Sequence, residues 1–193
     1  VNYAELLELG LDGFSRKVAE RRSRLNLADW GDLQREQFLK GVALVFDALS
    51  DYILRFALLA DEMAAVEPRA WRAGELKSIA KNCRQIALHA PQSFWQALQL
   101  SYFVQLVLQI ESNGHSVSFG RMDQFLYPWY QKDVASGTLA REQAIELLQS
   151  CWLKLLEVSK IRSGSHSKSS AGSPLYQNVT IGGQILVDGV AQD

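Results

Sequence analysis

The sequence predicts a mainly α-helical chain that turns to short β-strands near its C-terminal end, as a piece of a larger α/β protein. Three observations carry that expectation. Apolar residues recur every three or four positions through most of residues 3–160, the spacing of helices that bury one face. One of these helices, residues 94–110, is apolar on every side and demands neighbours all round. After residue 176 the pattern changes to short alternating runs around glycines, which is how strands read.

Taken in order, residues 3–25 place Leu6, Leu7, Phe14 and Val18 at helical spacing, weakened by Gly10 and Gly13. Residues 33–68 hold a long amphipathic pattern of Phe38, Val42, Val45, Phe46, Leu49, Tyr52, Ile53, Phe56, Leu59 and Met63, closed by Pro68. A shorter, more polar helix covers 70–90. Ser93 followed by Gln96 is a capping-box signature, so the all-round apolar helix starts there. Its relief comes from Gln96, Gln99, Gln105 and Gln109, and four amides argue against a membrane span.

That helix empties into "ESNGHSVSFGRMDQFLYPWY", residues 111–130. Within it residues 116–120 alternate as a short strand, and 123–136 read as a helix despite Pro128. Residues 138–160 form an amphipathic helix with Ala144, Leu147, Leu148, Cys151, Trp152 and Leu155 on one side. A serine- and glycine-rich loop follows at 162–174. Residues 177–189 then read as two short strands turning at Gly182–Gly183. There are no internal repeats.

At 193 residues the chain is about one domain, and a net charge of −1 gives no reason to expect a nucleic-acid partner. The basic run at 16–24 is interrupted by Glu20 and reads as a solvated helix face. Cys83 and Cys151 lie far apart and outside any C-x-x-C pattern, which excludes a zinc site and a disulfide framework and suits a reducing cytoplasm. No stretch reaches the roughly 18 apolar residues of a membrane span. The chain opens on Val1 and closes on Asp193 without a terminating element, so an internal portion of something longer is expected.

Three histidines are candidates for chemistry, and none has metal-ligand spacing. His89 sits at a predicted helix end, where a cation suits the dipole, and reads as structural. His166 lies in the serine-rich loop and reads as disordered surface. His115 differs, because Gly114 before it permits close backbone approach and Ser116 after it adds a donor and acceptor. Spacing alone leaves two readings open: a satisfied buried histidine, or one facing a ligand. A serine hydrolase is poorly supported, since there is no G-x-S-x-G elbow and adjacent His115 and Ser116 do not give triad geometry. Phosphate-loop glycine patterns are also missing.

Residues 90–133, 144–163 and 176–193 resemble glycyl radical enzymes of the pyruvate formate-lyase superfamily. The shared wording is the glycine-histidine-serine pattern at 114–116, "FGRMDQFLYPWY" at 119–130, and "QNVTIGGQ" with a later "DG" at 177–189. It is closer to the glycerol and diol dehydratase-like branch. Residues 1–89 share helical character and no motif.

The resemblance implies that residues 1–193 are an internal portion of a ten-stranded α/β barrel wrapped in helices. It implies a lyase or dehydratase acting on a small substrate such as glycerol or another diol, through hydrogen abstraction by a cysteine thiyl radical. It assigns His115 and Ser116 to substrate binding, and leaves Arg121 and Asp123 to brace the strand-to-helix corner rather than touch substrate, the roles of these two being open between those alternatives. Neither the cysteine-loop motif nor the radical-glycine motif occurs here, so this chain alone is expected to be inactive. Cys83 and Cys151 read as small buried hydrophobes. The full-length protein is expected to carry a glycyl radical installed by a radical S-adenosylmethionine activase with an iron–sulfur cluster, and to be a cytoplasmic homodimer of anaerobic metabolism. Two alternatives stand beside it: pyruvate formate-lyase (formate C-acetyltransferase) activity, and a non-catalytic helical module that binds a partner through exposed apolar surface.

Overall fold

The computed structural model describes residues 1–112, 117–158, 163–169, 177–187 and 190–192, with side chains described as far as residue 184. The chain divides into two units, Val1–Gln92 and Ser93–Asp193. Among the described residues the structure is mainly helical, as the periodicity requires.

The first unit is built from α1 (Tyr3–Ser23), α2 (Trp30–Val66) and α3 (Ala70–Leu88). Asn2 caps α1 by accepting the Glu5 N–H at 3.3 Å, and Asp29 caps α2 by accepting the Asp32 N–H at 3.0 Å. Only residues 67–69 separate α2 from α3, so the two helices fold back on each other as a hairpin. Ile53, Ala57, Ala60 and Ala64 form one buried stripe, and Leu76, Ala80, Cys83 and Ala87 another, both at steps of three and four. The alanines let the helices approach closely. An ion pair between Arg84 and Asp61 joins the same two helices at the surface.

α1 is tied to α2 by the stacked rings of Phe14 and Phe46, 5.7 Å between centroids, and by Arg22. The Arg22 guanidinium donates to both oxygens of Glu36, the shortest contact being 2.7 Å. That partner holds the buried Glu36 carboxyl below the usual carboxylate range. The glycine suspected of weakening α1 instead kinks it. Gly10 has φ +66° and ψ 179°, and a Cβ there would lie 2.4 Å from the Ala90 nitrogen. Only glycine tolerates both conditions.

The expected apolar face of α2 is only partly used. Leu49 and Ile53 are buried, whereas Phe38 is 71% exposed and Val45, Phe56, Leu59 and Met63 are also exposed. The 19-residue α3 covers the alanine stripe and leaves the bulkier positions beside it in the open.

The second unit runs α4 (Phe94–Glu111), α5 (Met122–Ala135), α6 (Arg141–Glu157), α7 (Gly164–Ser169), β1 (Ile185–Val187) and β2 (Val190–Gln192). Ser93 caps α4 as expected, its hydroxyl accepting the Gln96 N–H at 3.3 Å. The Asp133 carboxylate of α5 accepts the Phe94 N–H at 2.7 Å, placing a negative charge at the N-terminal end of α4. Both α5 and α6 pack on α4.

Two expectations change here. The loop expected over 162–174 contains the short helix α7 at Gly164–Ser169, and His166 lies on it. The two strands do not turn at Gly182–Gly183. β1 and β2 pair antiparallel with Val187 opposite Val190, so the connection falls on Asp188–Gly189, outside the described residues. The expected strand at 116–120 is seen as one parallel bridge, Gly120 to Val179, closed by the Thr180 N–H donating to the Gly120 carbonyl at 2.8 Å.

Replacing Gly10 by alanine should lower stability by about 1–3 kcal/mol, since it forces a side chain into left-handed backbone against Ala90. Urea unfolding of the variant beside the parent checks this, and equal midpoints would show that the kink relaxes freely.

Candidate functional site

The polar end of the second unit begins with α4. Although the helix is rich in leucine and valine, two of its most buried side chains are amides, Gln105 at 0% exposure and Gln109 at 4%. They stand four residues apart and so share one face. Gln105 Nε2 donates to the Val117 carbonyl at 2.9 Å and Gln109 Nε2 to the same oxygen at 2.6 Å. Gln105 Nε2 also reaches Gln177 Oε1 at 2.7 Å. The segments that begin at 117 and 177 are therefore anchored to one helix face and run parallel beside each other.

The next contacts hold the corner where the strand becomes α5. Arg121 is the N-cap of α5, and its guanidinium donates to the carbonyls of Gln184, Gly183 and Gly182 at 2.9, 3.1 and 3.2 Å. Asp123 accepts the Gly182 N–H at 2.8 Å. Gly182 and Gly183 have φ of 76° and 84°, which turns their peptide groups toward these two side chains and favours glycine at both positions. Arg121 and Asp123 thus brace the corner. Burial pushes the Asp123 carboxyl up, yet the Gly182 N–H and the Gln124 contacts outweigh it and leave the group below the usual carboxylate range. Asp123 Oδ1 and Arg121 Nε are buried without a hydrogen-bond partner.

The two residues expected to bind substrate, His115 and Ser116, lie outside the described residues. Val117, the next residue in the chain, is held through its carbonyl by the two amides. His89 caps the C-terminal end of α3 with its Nδ1 3.8 Å from Asp12 Oδ2, a structural setting. Cys83 and Cys151 are buried, and desolvation pushes each thiol up to about 11. Thiols held protonated in apolar helix packing suit the filling role expected of them.

Gln105 and Gln109 were legible in the sequence only as relief of an apolar helix. Their four-residue spacing is the signal that marks one shared face. A cavity of about 330 Å³ lies among α5, α6 and residues 179–181, lined by Met122, Leu126, Tyr130, Ala144, Leu148 and Val179 among others. It is nearly all apolar, with Asp123 and Arg141 as its charged members, and presents no acid–base pair. Among the described residues no cluster of three or more His, Cys, Asp or Glu side chains is placed to hold a metal ion, and no helix is long and apolar enough to cross a membrane.

Comparison with known proteins adds the following. The family model described as pyruvate formate lyase-like matches residues 1–189. Over its whole length the chain is 67% identical to a protein of Escherichia coli K12 named "Probable dehydratase YbiW", of which it covers 24%. It superposes with a TM-score of 0.93, at 38% identity, on a Roseburia inulinivorans structure concerned with 1,2-propanediol dehydration, covering all of this chain and 23% of that one. The glycerol-bound, B12-independent glycerol dehydratase of Clostridium butyricum gives a TM-score of 0.91 at 34% identity, again with full coverage of this chain and 24% of the other. The chain spans about a quarter of the length of these relatives.

Removing the Arg121 guanidinium (Arg121→Ala) deletes three charge-assisted bonds to the 182–184 segment. It should cost about 1–3 kcal/mol of stability and speed hydrogen exchange at the Gly182 amide. The Asp123 contribution has a defined pH sense. Because its folded-state pKa is lowered, the contribution is present above the ordinary carboxylate range and lost as pH falls through the lowered value. An Asp123→Asn variant should remove that acid dependence of unfolding, and an unchanged profile would show that the carboxylate is not the group responsible.

Proposed function

The chain belongs to the pyruvate formate lyase-like family, and on that premise we propose that it is part of a glycyl radical dehydratase acting on a small vicinal diol. The observation that carries the reading is the superposition of this whole chain on about a quarter of each of two dehydratase structures, concerned with 1,2-propanediol and glycerol, at TM-scores of 0.93 and 0.91. The parallel bridge between Gly120 and Val179, with helices in the connection, supports placing these segments in the ten-stranded barrel of the family.

In this reading a cysteine thiyl radical, generated from the protein glycyl radical, supplies abstraction of a hydrogen atom from the carbon bearing a hydroxyl. Both groups belong to parts of the full-length protein beyond the residues here. Cys83 and Cys151 do not fit the thiyl role, since each is enclosed in the packing of its own helix, α3 or α6. The task of these residues is to bind and orient. His115 and Ser116 contact the substrate hydroxyls, which in a water-excluding cavity need partners, because an unpaired buried polar group costs about 1–3 kcal/mol. His115 also donates the proton with which the departing hydroxyl leaves as water. Gln105, Gln109, Arg121 and Asp123 touch backbone, and hold the strand and its corner. The full-length protein is a homodimer activated by a radical S-adenosylmethionine enzyme in this reading, and formate C-acetyltransferase activity is disfavoured by the dehydratase names of its relatives.

A second reading, a helical interaction module without catalysis, is favoured by the exposed apolar side chains of α2. Anoxic activation of the full-length protein separates the two. A glycyl radical signal and conversion of 1,2-propanediol or glycerol to aldehyde and water support the enzyme, and absence of both supports the module. In the active protein, His115→Ala should cut turnover by roughly a hundredfold or more while the radical still loads, the loss expected of a general acid that also positions substrate. Parental turnover in that variant would make His115 structural.

A further inference from the structure

Amides on an otherwise apolar helix need a reason to be buried. Leucine or methionine at positions 105 and 109 would avoid the desolvation cost of an amide and match the neighbouring Leu106, Val107 and Leu108, which are themselves only half-buried. Gln109 is not even fully satisfied: its Nε2 donates to Val117, but its Oε1 is buried with no hydrogen-bond partner. An arrangement that gives up stability at one atom and places two donors on a single carbonyl has fixed that carbonyl in space.

We propose that Gln105 and Gln109 are positioning residues for the substrate-contacting pair His115 and Ser116, acting through the Val117 carbonyl. The proposal rests on the assignment of that pair made above. Val117 directly follows Ser116, and consecutive Cα atoms stand 3.8 Å apart, so holding one carbonyl restricts where the two preceding residues can go. Gln105 extends the restraint by holding Gln177 at 2.7 Å, which sets the second segment in register beside the first. Downstream that register is seen in the Thr180 N–H on the Gly120 carbonyl at 2.8 Å and in the Asn178 N–H on the Ser118 hydroxyl at 3.2 Å. A carbonyl held from one side only would allow the strand to slide or roll, and displacements of about 1 Å at a reacting centre are costly in rate.

The test uses the full-length protein with Gln109→Met and Gln105→Met, alone and together. Methionine matches glutamine in length, favours helix and removes the donor, so the fold is retained. Each single variant should melt at or above the parental temperature and take up the parental amount of glycyl radical. Its kcat/KM for 1,2-propanediol or glycerol should nevertheless fall roughly tenfold, with kcat carrying most of the loss, as expected when orientation rather than binding is damaged. A residue that only stabilises the fold would lose activity in step with folded or radical-bearing protein. Independently of turnover, hydrogen exchange at the Thr180 amide should speed up in both variants. Unchanged kcat/KM, or a loss that tracks radical content or melting temperature, overturns the proposal. Faster Thr180 exchange in the variants of a parent protein that itself converts no diol would instead overturn the dehydratase reading on which the proposal rests and leave the anchoring of Val117 standing.

Discussion

A carbonyl oxygen carried against an apolar helix must find donors there, or the segment that bears it will not stay. In this chain the carbonyl is that of Val117 and the donors are the side-chain amides of Gln105 and Gln109. Much of the second unit follows from that requirement. The segment from Val117 is held against α4 at a fixed point, the 177–180 segment lies alongside through Gln177, and the parallel bridge at Gly120 and Val179 closes between them. Only then do Arg121 and Asp123 meet the peptide groups of Gly182 and Gly183.

The contacts that shape this corner are polar and directed, whereas those that hold the helices are apolar and diffuse. Dispersion and burial stabilise α1, α2 and α3 without specifying positions to a few tenths of an ångström. Hydrogen bonds to single carbonyls do specify them. The buried thiols belong to the first class. Cys83 and Cys151 fill space, and desolvation keeps them protonated.

The exposed apolar residues of α2 show the limit of reading a periodic pattern. Spacing says that Phe38, Val45, Phe56, Leu59 and Met63 share the character of a buried face, but it does not say what covers them. Within the first unit α3 packs on α2, whose Leu49, Ile53 and alanine stripe are buried, and the bulkier residues stay exposed. The relatives are about four times as long as this chain.

The sequence by itself determined the long helices α1 to α6, though not the short α7, because their signals are local. Apolar spacing, the Ser93 cap and the break after Val66 act within a few residues of where they are written. It also marked the corner, since Arg121 and Asp123 stand at the start of a helix just after an alternating run. Tertiary structure decided what depends on residues far apart in the chain. It made Gly10 a kink because Ala90 lies against it, turned Gln105 and Gln109 from relief into anchors because Val117 lies beside them, and used Gly182 and Gly183 for the brace while β1 paired with β2. Each of these outcomes is set by a contact across many residues. A hydrogen bond or a close approach forms only where the fold brings its two halves together, and local propensity carries no record of the second half.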